Sequence, residues 1–302
     1  MNEPASDLRA VLDLGSNTFH LLIATVRHGR IVAKHYQRRI YVKLAAAGAD
    51  RISPAAWARG LGALEEFRSV LARYDHPRLR VFGTAMFRSA SNGPAFQRAL
   101  TERGFPVEII SGEREADLIR RGVISSLPPA SGRVLIMDIG GGSTEFIIAE
   151  GQRTHYARSF PVGLAALHRR FHTADPFPLG QRTALHDFLV TTLAPLLAAL
   201  RHHPTDHLVG AAGAFEVLLP AGEETVPAVA VDSDYPERLV TDLLPLTTAE
   251  RGTHRLVPAE RADYIIVALL LMAFVRELSG TQRLTVSRYA LKEGALLDPG
   301  SW

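Results

Sequence analysis

At 302 residues the chain is at the upper size limit for one hydrophobic core, so two domains are expected. Hydrophobic residues are 47% and charged residues 22% of the sequence, with no cysteine: this is a soluble globular composition that excludes disulfides, thiolate catalysis and cysteine-ligated zinc. The formal net charge of +3 is compatible with a polyanionic partner and equally with a basic background of solvated arginines; no block of like charge and no basic-aromatic alternation marks a nucleic-acid surface.

The start, MNEPASDLRA, has neither a basic n-region nor an apolar h-region, so no signal peptide is expected and the protein reads as cytoplasmic. Ala10 to Ala24, AVLDLGSNTFHLLIA, is an apolar strand ending on Asp13, a polar turn Gly15-Ser16-Asn17-Thr18, and a second apolar strand. Arg30 to Val42 continues as extended chain and completes a three-stranded antiparallel start. Pro54 opens a helix in which Trp57, Leu61, Leu64 and Leu71 fall near one stripe, so Trp57 reads as core. Leu79 to Phe82 is a short strand leading into GTAMFRSASN, where Asn92 is expected to cap a helix through Leu100. Val107 to Ile110 is the next strand, and it delivers Ser111, a helix cap, followed by an apolar face of Ala116, Ile119 and Val123. Glu113 and Asp117 in the first turns suit the helix dipole.

Leu127-Pro128-Pro129-Ala130-Ser131-Gly132 is the clearest break in composition and the expected domain boundary. Beyond it, VLIMDIGGGSTEFIIA (Val134 to Ala149) repeats the N-terminal design: an apolar strand ending on Asp138, the small-residue turn Gly140-Gly141-Gly142-Ser143, and a return strand. Three consecutive glycines inside a β pattern sacrifice packing and rigidity, so the backbone there either turns tightly or lies against something bulky. Successive amides in such a turn form a concavity for an anion, and the Ser143 hydroxyl adds a donor; an ordinary glycine hairpin without ligand is the alternative. Asp13 and Asp138 are 125 residues apart, and two such copies suggest a duplicated domain with phosphate loops facing one another. Each aspartate is then placed to hold hydrated Mg²⁺, which prefers one or two carboxylates plus phosphate oxygens.

Gln152 to Phe160 gives a third strand, Gly163-Leu164 starts a helix through Phe171, and Thr173 to Gly180 is a loop. Arg182 to Leu200 reads as one long helix kinked at Pro195, with Leu185, Phe188, Leu189, Leu193, Leu196 and Leu200 inward. His202-His203 at its end complements the dipole, and no ligand spacing suggests a metal there. His207 to Gly210 is a strand followed by Ala211-Ala212-Gly213-Ala214-Phe215-Glu216. Glu237 to Leu244 and Pro258 to Leu278 are helices; the apolar run Tyr264 to Val275 is too short to span a bilayer and reads as buried. Arg283 to Val286 is the last strand, before a closing helix.

In order, DLGSNTFHLLI, GTAMFRSASN, IISGEREADLIRRGV, DIGGGSTEF and VSRYALKEGAL resemble the motifs of the exopolyphosphatase/guanosine pentaphosphate phosphatase (Ppx/GppA) family, from about Ala10 to Leu297. The resemblance implies an α/β fold of two ribonuclease-H-like domains of the sugar kinase/actin/Hsp70 superfold with an interdomain cleft. The domains would be 1–127 and 128–302, with the closing helix, 288–298, near the junction and packing on the first domain as one option. Glu115 is then the catalytic base that orients water, with Asp138 and Glu145 as its catalytic partners. Ser16, Asn17, Thr18, Arg88, Gly140, Gly141, Gly142 and Ser143 clamp phosphates, and Mg²⁺ (or Mn²⁺) is held by Asp138, Glu145 and Asp13. Gly163 would be near substrate, and Arg288 or Lys292 either binds distal phosphates or is structural. Kinases of the superfold bind adenosine at the turn after Gly210, where Phe215 and Glu216 weaken an ATP-binding reading. Longer relatives append an HD-type helical region that is missing here, so a metal-dependent activity of that region is not expected.

The expected activity is Mg²⁺-dependent hydrolysis of the terminal phosphate of inorganic polyphosphate, with guanosine pentaphosphate (pppGpp) 5'-phosphohydrolysis as the alternative. An ATP-dependent small-molecule kinase and a non-catalytic polyphosphate or alarmone sensor are further options; Glu115 and the intact carboxylates argue against both. Partners would be the phosphate substrate and, optionally, a second copy of the chain, with no membrane and no specific nucleic acid.

Overall fold

The Asp13 to Thr18 segment turns back because its glycine allows the chain to close on itself. In the computed structural model, which describes residues 7–48, 50–211, 213–219, 226–300 and 302, β1 (Asp7–Leu14) pairs antiparallel with β2 (Thr18–Arg27), and β2 with β3 (Arg30–Tyr41). Helix α1 (Pro54–Leu71) starts on a Ser53 side-chain cap with Pro54 in its first turn, where the missing amide is harmless. β4 (Arg78–Gly83) returns parallel to β1, the short helix α2 (Ala85–Ser89) and α3 (Gly93–Thr101) follow, and β5 (Val107–Ile109) adds parallel to β4. Helix α4 spans Gly112–Ser126.

The same plan repeats. β6 (Arg133–Ile139), β7 (Thr144–Glu150) and β8 (Arg153–Phe160) form an antiparallel run. Then come α5 (Leu164–Phe171), α6 (Leu179–Thr192) and α7 (Ala194–His202), and β9 (His207–Ala211) lies parallel to β6. After β10 (Ala228–Val231), α8 (Tyr235–Leu243), α9 (Thr248–Gly252) and α10 (Ile265–Ser279), β11 (Arg283–Ser287) inserts between β9 and β10. Helix α11 (Leu291–Leu297) closes the order. Among the described residues the first sheet is ordered β3-β2-β1-β4-β5 and the second β10-β11-β9-β6-β7-β8. Apart from the edge strand β10, the second sheet repeats the pairing of the first, so the duplicated motif is a duplicated fold.

The described residues divide into two compact units, one running to Gly122 and resuming at Ala290, the other Val123–Tyr289. In the first, the buried face of α1 is Ala56, Gly60, Ala63, Leu64, Phe67 and Val70. This face is rotated by one position from the stripe expected through Trp57, Leu61, Leu64 and Leu71, because Gly60 is what lets the helix approach Phe96 and Phe19. Trp57 is half-buried, with its ring 4.7 Å from Phe96. α11 packs on β1, β2 and β3. It crosses α4 so closely that a Cβ on Gly294 would fall 1.7 Å from the Leu118 carbonyl oxygen, and one on Gly122 would fall 2.1 Å from that of Ala290. Buried Glu293 accepts from the Ala290 amide at 3.0 Å and is paired with Lys34 at 2.9 Å and Lys292 at 3.2 Å.

In the second unit the core joins one sheet face to α5, α6, α7, α8 and α10. The expected single helix over Arg182 to Leu200 is two helices, α6 and α7, bent by 56°. Pro195 lacks the amide that would continue the ladder, so the chain restarts with proline in the first turn of α7. The inward leucines are buried as expected. The helix expected from Pro258 begins only at Ile265, after a 3₁₀ turn at Ala259–Arg261. α10 is buried at every position from Ile265 to Met272 and again at Phe274 and Val275, and among the described residues no single helix is long and apolar enough to cross a membrane.

Candidate active site

In both hairpins the glycine two residues after the aspartate donates its amide across the turn: Gly15 to Thr18 O at 3.0 Å, and Gly140 to Ser143 O at 2.9 Å. A Cβ on either glycine would fall 3.0 Å from that same oxygen, so a side chain there would press on the turn. The loop carbonyls are then turned away by neighbouring chain. In the second hairpin, Gly140 O accepts from Leu164 N (3.0 Å), Gly141 O from Ala165 N (2.9 Å) and Gly142 O from Gly163 N (3.3 Å). These donors are the first amides of α5, which have no partner inside the helix. Among the described residues, the amides of Gly141, Gly142 and Ser143 have no protein acceptor, on a surface tied to a helix N-terminus. Such a set of donors suits an anion. The first hairpin reaches the same state by another route, with Val42 N and Lys43 N donating to Asn17 O at 3.0 and 2.9 Å and Ala45 N to Ser16 O at 3.2 Å.

Gly163, expected near substrate only by resemblance, packs against the second hairpin. Its φ of −75° suits any residue, yet a Cβ there would fall 2.3 Å from the carbonyl carbon of Gly142 and 2.4 Å from the nitrogen of Ser143. The glycine is required by close approach to the loop.

Asp138 and Glu145 are directly opposite one another in the β6-β7 register, which puts both carboxylates on one face of the sheet. Like charges so placed repel, and a hard cation would relieve them. Glu145 is buried, and its Oε1 accepts from the Ser143 and Ser159 hydroxyls, both at 2.7 Å; these bonds fix its orientation. Asp13 occupies the equivalent place in the first hairpin, but its cross-strand partner is His20, whose Nε2 lies 3.0 Å from Thr18 Oγ1. Among the described residues no group of three or more His, Asp or Glu converges to hold a metal. A Mg²⁺ ion fits the Asp138-Glu145 pair only with phosphate and water oxygens completing its shell.

The remaining candidates of the first unit lie at the C-terminal ends of parallel strands, where open α/β sheets bind ligands. Thr84, between β4 and α2, donates its amide to Leu14 O at 3.3 Å, tying the start of α2 to the end of β1. Arg88 on α2 then reaches Ile110 O at 2.7 Å and Glu115 Oε2 at 2.9 Å through Nη1. Glu115 is 7% exposed on the first turns of α4, which Ser111 caps by accepting from Arg114 N at 3.2 Å. Glu113 is held below the usual carboxylate range by its backbone hydrogen bond and the Ser111 hydroxyl. At Asp117 burial pushes the carboxyl up, and Arg121 and Arg120 together outweigh it. Asn92 does not cap α3 through its side chain. It brackets Ile52 instead, accepting from the amide and donating to the carbonyl, both at 2.9 Å.

After β9, Ala212 lies outside the described residues. Phe215 is a core residue with its ring against Gly210, and Glu216 is paired with Arg261, so neither side chain is presented to a nucleoside. Lys292 is buried against Glu293 and reads as structural.

Residues 22–299 match the model of the Ppx/GppA phosphatase family. The chain belongs to that family. It is 32% identical over 298 residues to a Vibrio vulnificus protein named guanosine-5'-triphosphate,3'-diphosphate pyrophosphatase, covering 96% of this chain and 58% of that protein. The chain therefore spans somewhat more than half the length of the curated relatives it matches. The crystal structure of an exopolyphosphatase from Cytophaga hutchinsonii is similar at 33% identity and a TM-score of 0.90, covering 96% of both chains. An Aquifex aeolicus Ppx/GppA family member shares the fold, with a TM-score of 0.80 at 24% identity and 96% coverage of both chains. As in these Ppx/GppA structures, the architecture is the two-domain fold of the sugar kinase/actin/Hsp70 superfold.

Proposed function

We propose that this Ppx/GppA family member is a cytoplasmic exopolyphosphatase that hydrolyses the terminal phosphoanhydride bond of inorganic polyphosphate. The observation that carries the reading is the pair of hairpins whose carbonyls are tied back and whose amides are left for an anion, together with buried Glu115 beside Arg88. The amides of Ser16, Asn17, Gly141, Gly142 and Ser143, with the hydroxyls of Ser16 and Thr18, hold phosphate oxygens without protein charge, while the Ser143 hydroxyl is spent on Glu145. Arg88 adds a planar cationic fork. Glu115 accepts a proton from the attacking water and fixes its direction toward the terminal phosphorus. Phosphoryl transfer requires little else of the protein than positioning and neutralisation of charge on the oxygens.

Asp138 and Glu145, with Asp13, are the residues that would hold Mg²⁺ or Mn²⁺. When bound, the ion neutralises charge on the phosphoryl oxygens. The intact carboxylates and buried Phe215 support hydrolysis over ATP-dependent phosphoryl transfer or mere sensing. Hydrolysis of pppGpp is the second reading, favoured by the name of the Vibrio relative; polyphosphate is preferred because the Cytophaga exopolyphosphatase matches this chain over nearly its whole length.

The test is phosphate release with Mg²⁺ from polyphosphates of several lengths, pppGpp and ATP, side by side and without acceptor. Release from polyphosphate at the highest kcat/KM is expected. Faster release from pppGpp would select the second reading, and ADP formation dependent on an added alcohol or acid would select a kinase.

A further inference from the structure

Outside the groups already assigned, the chemistry of the first unit converges on Asp298, the residue that ends α11. It is 3% exposed, and its Oδ2 accepts from two arginines at once: Arg80 Nη1 at 2.9 Å and Arg114 Nη2. Arg80 is on β4, the strand whose end leads through Thr84 to Arg88. Arg114 directly precedes Glu115 on α4. One buried carboxylate thus bridges α4, which carries Glu115, to β4, the strand that leads into the Arg88 helix α2.

The bridge is itself held. The Trp302 indole donates to Asp298 O at 2.9 Å and stacks under Arg9 at 4.6 Å, while the Arg80 guanidinium lies 4.7 Å from the Phe82 ring. Burial opposes the charge of Asp298, and the two arginine hydrogen bonds outweigh it and hold its carboxyl below the usual range. The charged form is therefore the one built into the fold. A surface salt bridge contributes little; a buried carboxylate with two guanidinium donors is a rigid joint.

We propose that Asp298 is a positioning residue for the hydrolytic reaction, fixing Glu115 against Arg88 by joining β4 to α4. The inference rests on the reading of Glu115 as the water-orienting base. Asp298 touches no substrate; its removal lets the first turn of α4 shift, and a displacement of about 1 Å at a reacting group can lower a rate by roughly 10²-fold.

The experiment is a double-mutant cycle on polyphosphate hydrolysis with Asp298→Asn and Glu115→Gln, measuring kcat, polyphosphate affinity and thermal melting for each protein. Asp298→Asn alone is expected to lower kcat about tenfold or more with affinity within a fewfold of the parent. In the Glu115→Gln background it should lower kcat no further, because coupled groups are non-additive. A purely structural role would give the same fractional loss in both backgrounds, and that result overturns the proposal, as does unchanged kcat in a folded Asp298→Asn protein. Normal turnover in Glu115→Gln would instead remove the reading on which the proposal rests. Should Asp298→Asn not fold, Arg114→Gln cuts the same joint from the helix side, with the same two outcomes.

Discussion

Arg88 Nη1 lies 2.9 Å from Glu115 Oε2 and, through the same nitrogen, 2.7 Å from the carbonyl of Ile110. The guanidinium therefore anchors the buried carboxylate to the end of β5 through one nitrogen. Under the proposed reading, binding and water activation would meet at this one side chain.

Replacing Glu115 separates the two. Glu115→Gln keeps shape and much of the hydrogen bonding but removes the base, so kcat should fall by about 10²–10⁴. Polyphosphate affinity should stay within a fewfold. Turnover measured beside direct binding of labelled polyphosphate on the folded variant checks it, and near-normal kcat would remove the residue from the mechanism.

Arg88→Lys retains the charge but not the fork. A single ammonium is not able to serve the Ile110 carbonyl, Glu115 and a phosphate in their present directions. Loss of a charge-assisted bond of about 1.5–3 kcal/mol should raise KM for polyphosphate by roughly tenfold or more. Equal KM in a steady-state titration would count against the phosphate role of Arg88.

Gly163→Ala tests the glycine loop without touching it. The backbone accepts alanine, so the whole effect is the added methyl pressing on the Gly142-Ser143 peptide, with an overpacking cost of about 1–3 kcal/mol. Polyphosphate binding should weaken by at least about tenfold while the protein still melts cooperatively. Unchanged affinity by equilibrium binding would mean that the loop amides are not the donors.

Asp138→Asn removes one of the two opposed carboxylates. The Mg²⁺ concentration for half-maximal activity should rise by about tenfold or more, a change of roughly 1.4 kcal/mol in ion binding. A metal titration at fixed polyphosphate that superimposes on the parent would place the ion elsewhere.

The C-terminal end of α5 predicts an acid sensitivity. His168 and His172 have ring centroids 4.6 Å apart. Burial lowers both from the ordinary 6.5, helped at His168 by His172 and at His172 by Arg251, against the Asp263 and Asp175 carboxylates at His168 and the Asp175 carboxylate and an Asp263 backbone hydrogen bond at His172. The unfolded chain then binds more protons, so stability is full above about pH 6.5 and declines as the pH falls toward the folded values. Melting temperature should drop between about pH 7 and pH 5.5, and the slope should flatten in His168→Gln/His172→Gln. A parallel pH profile in the variant would show that other groups govern it.

The two hairpins were legible because each announces itself locally: an apolar strand, an aspartate at its end, then small residues. Glu115 and Arg88 were legible only by resemblance, since neither carries a local pattern that distinguishes it from an exposed charge. What escaped the sequence is set by distant chain. Gly163, Gly122 and Gly294 look like ordinary helix glycines until the loop or helix pressed against them is placed. Asn92 resembles a cap but is claimed by Ile52, forty residues earlier. The four-residue strand β10 is too short for alternation to stand out. The break between α6 and α7 was visible as Pro195, though its size was not.

The first unit takes its last pieces, α11 and Asp298, from the far end of the chain, whereas Val123–Tyr289 is continuous. During vectorial synthesis the second unit therefore leaves the ribosome with everything it needs. The first emerges early but waits through the translation of the intervening 167 residues for the helix that covers β1, β2 and β3. Until then its sheet presents bare apolar surface, a natural target for a holdase chaperone. The order of synthesis is thus the reverse of the order in which the two halves can be finished.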